Sequence, residues 1–347
     1  MFIINGSFLC RNLTGIERFA LELCKQLDTF IPKDFLEIHI PKNAKCIPDF
    51  KNIKITVSKK NCNNFPVWEH IVFASYVKKS HACSINFSNI MPLFCHDYVF
   101  IHDIYAKLYP DDFVTFKDKL RRFYMCRMYK SACKHAKLIF TVSEFSKKQI
   151  CDWYKISAAK ITVIPNGWEH FKQVESDFSI LASNNLTEND FYFTLGSLSK
   201  RKNLIWIMNY AKNHPDEKFV ISGTTINSLI PPELSEIKEL PNITLLGYIS
   251  DSQVKALMSK CKAFIFPSYY EGFGIPPLEA LSVGASVVVS NAASLPEIYR
   301  NCVHYIDPTN WNVSLEDLLN EKVDSPEKIL SYYTYKNAAE MFYNEIR

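Results

Sequence analysis

The 347-residue chain contains no apolar run approaching the ~18 residues needed to span a bilayer. Its start, Met1-Phe-Ile-Ile-Asn-Gly-Ser-Phe, has neither a basic leading region nor a cleavage site, so the sequence implies a protein that stays in the cytoplasm. The eleven cysteines are an odd number with no C-x-x-C pair, which argues against a disulfide framework and against a zinc site. They read as reduced thiols. The formal net charge is only +4, so a general nucleic-acid binder is a poor fit. The three-glycine dinucleotide fingerprint is also missing, which speaks against a dehydrogenase.

What is present is the composition of a folded α/β protein, 48% hydrophobic and 22% charged, at a length that suits two domains. Apolar runs at Phe2–Ile4, Leu36–Ile40, Ile53–Val57, Tyr98–Ile101, Leu138–Val142 and Ile161–Ile164 alternate with helical patterns, as they do in parallel sheets. The helix signals include Thr14–Leu27, where Thr14 and Glu17 fit a capping box, and Trp68–Val77. Gly15 opens the first of these helices, a phosphate-tolerant layout that is equally a plain helix start. A polar stretch from about Glu169 to Asn189 places the domain boundary, giving 1–172 and 173–325. A terminal helix over 326–347 is expected to cross back to the first domain.

The second half is organised around Glu271 to Glu279, E-G-F-G-I-P-P-L-E, set between the strand patterns Ala263–Phe266 and Ala285–Val289. Gly272 and Gly274 leave backbone N–H groups open around Phe273, and Pro276 and Pro277 suit the first turn of a helix ending near Gly284. The strand, glycine loop and helix put Glu271 outside the carboxyl end of a strand, where open parallel sheets bind ligands. The helix start favours phosphate, and two carboxylates accept hydrogen bonds from sugar hydroxyls, so a nucleotide sugar fits. A bare pair of glutamates also fits a tight turn before an exposed helix. Upstream, Phe191–Leu195 leads into Gly196-Ser197-Leu198-Ser199-Lys200-Arg201-Lys202-Asn203, three consecutive cations between a strand and a helix, suited to a diphosphate. His102 follows the run Tyr98–Ile101 at its carboxyl end, whereas His96 lies at the opposite edge.

The segment E-G-F-G-I-P-P-L-E-A resembles the E-x7-E motif of the retaining glycosyltransferases of family 4, which have the GT-B fold of two Rossmann-like domains facing a cleft. The R-K-N at 201–203, the His-Asp at 102–103 and T-V-S-E-F-S at 141–146 extend the resemblance across most of the chain. The openings N-G-S-F-L and T-G-I-E-R-F are similar to those of bacterial enzymes that build O-antigen or capsule on lipid-linked acceptors. The resemblance implies that Glu271 and His102 contact the transferred sugar, Glu279 the ribose, and Lys202 and Arg201 the diphosphate. It sets Gly15 by the donor phosphates and the loops at Gly223 and at Gly247, Tyr248 and Ile249 by the nucleobase. The leaving phosphate, not His102, would serve as base. Many family members carry an arginine where this chain has Ser197.

No D-x-D occurs, so the aspartates that hold a metal in the other common glycosyltransferase fold are lacking, and the expected transfer is metal-independent. Ser143 reads as a helix cap. Residues 116–137 alternate Lys and Arg with Phe, Tyr and Met. They read either as solvated surface or as a face for anionic lipid headgroups, at about 1 kcal/mol per near-surface cation. Rival readings are a nucleotide-sugar epimerase of the same fold and a non-catalytic glycosyltransferase-like subunit.

Overall fold

The computed structural model describes every residue except 14, 198 and 224–231, and no side chain at 232 or 233. Among the described residues, thirteen strands form two sheets, every described pair parallel. The first sheet contains β1 (Phe2–Asn5), β2 (Leu36–Ile40), β3 (Lys54–Val57), β4 (Cys83–Asn86), β5 (Tyr98–Phe100), β6 (Leu138–Thr141) and β7 (Ile161–Val163), in the order β3-β2-β1-β4-β5-β6-β7. The second contains β8 (Phe191–Leu195), β9 (Lys218–Ser222), β10 (Ile243–Gly247), β11 (Ala263–Phe266), β12 (Val287–Ser290) and β13 (His304–Ile306), in the order β10-β9-β8-β11-β12-β13. Strand order reverses between β1 and β4 in one sheet and between β8 and β11 in the other. Each reversal opens a crevice at the carboxyl ends of the strands.

Contacts divide the chain into two compact units, Met1–Gly167 with Thr334–Arg347, and Trp168–Tyr333. In the first unit, Phe19, Ala20, Leu23 and Leu27 of the helix Gly15–Leu27 share a core with Ala338, Ala339, Phe342 and Ile346 of the helix Tyr335–Ile346. The capping box expected for the first of these helices involves Thr14, which lies outside the described residues. Glu17 is buried and accepts from Arg11 Nη1 at 3.4 Å.

The expected boundaries differ in two places. Residues 168–172 belong to the second unit because Phe171 is buried and Lys255 Nζ donates to the carbonyls of Phe171, Lys172 and Val174 at 2.7–3.3 Å. The terminal helix expected over 326–347 is two helices. Glu327–Tyr332 packs on Ile275–Ser282 of the second unit, and only Tyr335–Ile346 belongs to the first. Tyr333 breaks between them with ψ 70°, and its ring meets Phe273 edge-on at 5.3 Å.

The basic helix is Phe116–His135, capped by Thr115. It ends two residues short of the expectation because Ala136 turns extended and the Lys137 N–H donates to the carbonyls of His96 and Asp97. Its buried residues, Met128, Tyr129, Ala132 and Cys133, lie in its second half, while Phe116, Leu120 and Phe123 in the first half are exposed. Ser143 caps the following helix by accepting from Ser146 N at 3.1 Å. No helix among the described residues is long and apolar enough to cross a membrane.

Candidate functional site

In the second unit, the carboxyl ends of β8 and β11 flank the reversal of strand order, and the loops leaving them carry the expected residues. The β8 loop turns at Gly196, where the aliphatic chain of Lys202 lies so close that a Cβ would meet its Cδ at 3.2 Å. Lys200–Lys202 form one 3₁₀ turn, closed by Asn203 in the left-handed region (φ 55°). Asn203 donates its amide to the carbonyls of Pro267 at 3.1 Å and Pro308 at 2.8 Å, and Tyr269 N donates to Arg201 O at 3.0 Å. The cation turn is thereby fastened to the β11 loop.

That loop places Glu271 on the cations. Lys202 Nζ donates to Oε1 at 2.7 Å and Arg201 Nη1 to Oε2 at 3.4 Å, with Lys202 also 4.6 Å from the centre of the Phe266 ring. Glu271 is buried. Burial pushes its pKa up, but Lys202 and Arg201 outweigh that and hold it below the ordinary carboxylate value. Ser294 Oγ donates to the carbonyls of Glu271 at 3.0 Å and Phe273 at 3.2 Å, and the Tyr299 hydroxyl donates to Gly274 O. Gly274 sits at φ 88°, and a Cβ there would meet Leu295 Cδ2 at 2.8 Å, so both conformation and space call for glycine.

The helix expected at 276–283 runs Ile275–Ser282, with proline in its first turn and buried Leu278 and Leu281. Glu279 is buried too, and its Oε1 lies 2.9 Å from His170 Nε2. His170 was not singled out in the sequence. It stands in a segment that read as a linker, 109 positions away, and only the neighbouring apolar Phe171 hints that this stretch is packed.

Tyr248 is 81% exposed at the end of β10, and Ile249 is partly buried. Gly247, at φ 67°, accepts from Gly223 N at 2.8 Å and Ser222 Oγ at 2.9 Å, which joins those two loops. Ser197 Oγ lies 3.1 Å from Ser199 Oγ, a neutral contact where the family often has an arginine.

In the first unit, His102 is buried at the carboxyl end of β5. Its N–H donates to Asn89 Oδ1 at 2.7 Å, and its ring Nε2 lies 2.9 Å from Phe87 O. A carbonyl can only accept, so Nε2 carries the proton and Nδ1 keeps the lone pair. Burial lowers the His102 pKa, which favours that neutral ring. Gly15 is exposed at its helix start, with open space where a Cβ would sit. His96 is at the other end of the strand, stacked on His135 at 5.2 Å.

The second unit thus brings Arg201 and Lys202 onto Glu271 in the loop that holds Gly272, Phe273 and Gly274, with Glu279 on the helix that follows and held by His170, and the first unit carries His102 and Gly15. Two cations and a helix start suit an anionic group, and carboxylates beside them suit hydroxyls. Among the described residues, no three His, Cys, Asp or Glu side chains are grouped as a metal-binding set.

The family model described as "Glycosyl transferases group 1" matches residues 177–338, and that described as "Glycosyltransferase Family 4" matches 95–170. The O-antigen chain mannosyltransferase RfbU of Salmonella typhimurium is 24% identical, covering 99% of this chain and 98% of its own. Sucrose-phosphate synthase from Thermosynechococcus elongatus superposes with a TM-score of 0.73 at 14% identity, covering 100% and 98%. Anabaena HepE, solved in complex with UDP and glucose, does so with a TM-score of 0.69 at 16% identity, covering 99% and 98%. These likenesses carry the fold, and the GT-B expectation is borne out. With both family models matched and a glycosyltransferase relative aligned from end to end, the chain belongs to the family 4 glycosyltransferases of the GT-B fold.

Proposed function

We propose that this protein is a retaining glycosyltransferase that moves a sugar from a nucleoside-diphosphate sugar to a hydroxyl of a lipid-linked saccharide in bacterial surface-polysaccharide assembly. The observation that carries this reading is the placement of Lys202 and Arg201 on Glu271, at the switch point of the second sheet and beside the Ile275 helix start. The cations would take the diphosphate and neutralise the charge that develops on it as the sugar departs. Glu271 would then hold hydroxyls of the transferred sugar and Glu279 those of the ribose. His102, neutral with a free Nδ1 lone pair, would accept from a sugar hydroxyl. The departing phosphate would take the proton of the acceptor. The name of the Salmonella relative supports mannose as the sugar and O-antigen as the product.

The helix Phe116–His135 supports a second contact, with a membrane surface. Phe116, Leu120 and Phe123 are exposed at helical spacing among Lys117, Lys119, Arg121 and Arg127, which suits an anionic leaflet carrying the acceptor.

The test is a thermal-shift panel of UDP, GDP, ADP and TDP with their sugars, read on the wild type and on Lys202→Ala. A ligand at 100 times its Kd adds about 2.7 kcal/mol of stability. A shift with one nucleotide, abolished by Lys202→Ala, is the expected result. A folded protein that responds to none of them would return the weight to a non-catalytic subunit.

A further inference from the structure

Strand order in the first sheet reverses between β1 and β4, and the polar side chains at that point are left incomplete. Glu69 is 0% exposed, and neither of its carboxyl oxygens has a hydrogen-bond partner. It lies on a π-helical turn, Trp68–Phe73, an irregularity often found at functional sites. Arg11 is the cation whose charge acts on Glu69, yet its Nε is also buried without a partner. Its guanidinium rests 3.9 Å over the Phe65 ring and reaches Glu17 through Nη1. Beside Glu69, Trp68 Nε1 donates to Asn5 Oδ1 at 2.9 Å, and Asn5 Nδ2 donates to Asn86 Oδ1 at 3.2 Å. That chain of bonds ends in Asn86 Nδ2, another buried donor with no acceptor. Asn5 and Asn86 close β1 and β4, so Asn86 Nδ2 lies at the crevice of the sheet, and Trp68, the sequence neighbour of Glu69, is bonded to that strand end through Asn5.

Buried groups without partners are rare, and they mark places where a further group completes the bonding. The chemistry here is narrow. A carboxyl group beside a guanidinium is a poor seat for an anion, which meets the acid, and for a cation, which meets the arginine. A hydroxyl satisfies both, because its oxygen accepts from Arg11 Nε–H while its hydrogen is donated to Glu69. Burial raises the Glu69 pKa to about 8, so the acid is largely neutral and suited to an uncharged partner. The Tyr124 ring, partly exposed and close enough for Glu69 to act on it, offers flat apolar surface of the kind that packs on sugar C–H faces. The Arg11 side chain is 33% exposed, which gives a way in from solvent.

We infer that Arg11 and Glu69 form a saccharide subsite at the switch point of the first sheet, with Asn86 as a further donor, where the sugar that receives the transferred residue is held by its hydroxyls. The inference rests on the glycosyltransferase reading above and extends it to an acceptor site within the first unit.

The test uses the full-length protein with methyl glycosides of mannose, glucose, galactose and N-acetylglucosamine as probes, followed by ligand-observed NMR, with UDP and GDP binding measured on the same samples. Glu69→Leu keeps volume and removes the carboxyl group. Arg11→Ala changes a partly exposed side chain and serves where the buried change fails to fold. The expected result is that at least one glycoside binds the wild type, that each variant weakens it about tenfold or more, and that nucleotide affinity is unchanged. If the wild type binds nucleotide but no glycoside, or binds glycoside and both variants do so equally well, the subsite is overturned and Glu69 is a structural acid. Failure of the wild type to bind any nucleotide would overturn the glycosyltransferase reading itself, and this inference with it.

Discussion

His170 Nε2 and Glu279 Oε1 lie 2.9 Å apart, and both side chains are almost fully buried. His170 comes three residues after the boundary between the two units, so the carboxylate assigned to the ribose is held by the start of the second unit. One oxygen of Glu279 is engaged, and its direction is set before any nucleotide arrives. His170→Gln, which keeps a nitrogen near the same place, is expected to retain nucleotide affinity. His170→Ala is expected to weaken it about 3- to 10-fold, the loss of one hydrogen bond. Isothermal titration of the nucleotide identified by the thermal-shift panel checks this, and equal affinities in both variants would end the positioning role.

Glu271 acts on Lys202 and Arg201 as a resident counter-ion. A diphosphate that takes those cations must compete with it. Glu271→Gln is therefore expected to bind the free nucleoside diphosphate as tightly as the wild type or several-fold more tightly, while turnover falls by about 10²–10³ as the contact proposed between Glu271 and the reacting sugar is lost. Titration calorimetry with sugar-transfer assays separates the two effects. Weaker nucleotide binding in the variant would show that Glu271 orders the site and does not compete.

The buried acid Glu69 gives stability a pH slope. Its pKa, pushed up by burial against the pull of Arg11, stands at about 8. Between the ordinary carboxylate value and that pKa the folded protein keeps the proton and the unfolded chain releases it. Stability from this group is therefore greatest in acid and falls as pH rises through the window, by at most about 1.4 kcal/mol per pH unit. Glu69→Gln removes the slope. Urea midpoints at pH 5.5 and 7.5 should move apart between variant and wild type, and parallel changes would disprove the shift.

Phe342 of the terminal helix packs against Phe87, Phe100 and Phe140 with ring centres 5.0–6.0 Å apart. Phe342→Ala is expected to cost about 3–5 kcal/mol. Denaturation followed by limited proteolysis should show the loss in the first unit while 168–333 resists digestion.

Replacing Phe116, Leu120 and Phe123 together by serine leaves every cation of the basic helix in place. Binding to vesicles rich in anionic lipid should weaken at least tenfold by sedimentation, since three exposed apolar side chains are lost. Unchanged binding would leave charge alone as the contact.

The alternation of apolar runs was enough to read most of the parallel strands, because residues buried on both faces of a sheet appear as short continuous apolar segments, but β4 (Cys83–Asn86) and β13 (His304–Ile306), short and carrying Cys, Ser, Asn or His, were not read. The Glu271 loop was legible for a local reason. Its glycines and prolines each answer a backbone requirement that acts within a few residues, as Gly274 does at φ 88°. Lys202 and Arg201 were legible as charges, but Asn203 was only a letter of the motif. Its amide spans to carbonyls 64 and 105 positions away, which no local pattern marks. His170 escaped for the same reason. Glu69 sat in a stretch read as a crossing helix. Its place four residues before the buried Phe73 and next to the buried Trp68 is the pattern that sets it on the inward face. The break at Tyr333 was invisible because helical propensity continues on both sides of it.

The helix Tyr335–Ile346 is made after every residue of the second unit, and it completes a core that begins at Phe2. During synthesis, the second unit has all of its residues before the first unit has its final wall. The second unit can fold while the first waits with Phe87, Phe100 and Phe140 uncovered, and the arrival of residues 335–346 decides when that exposure ends. A nascent chain stalled just short of residue 335 would therefore hold a finished second unit and an unfinished first one, the stage at which a chaperone has most to shield.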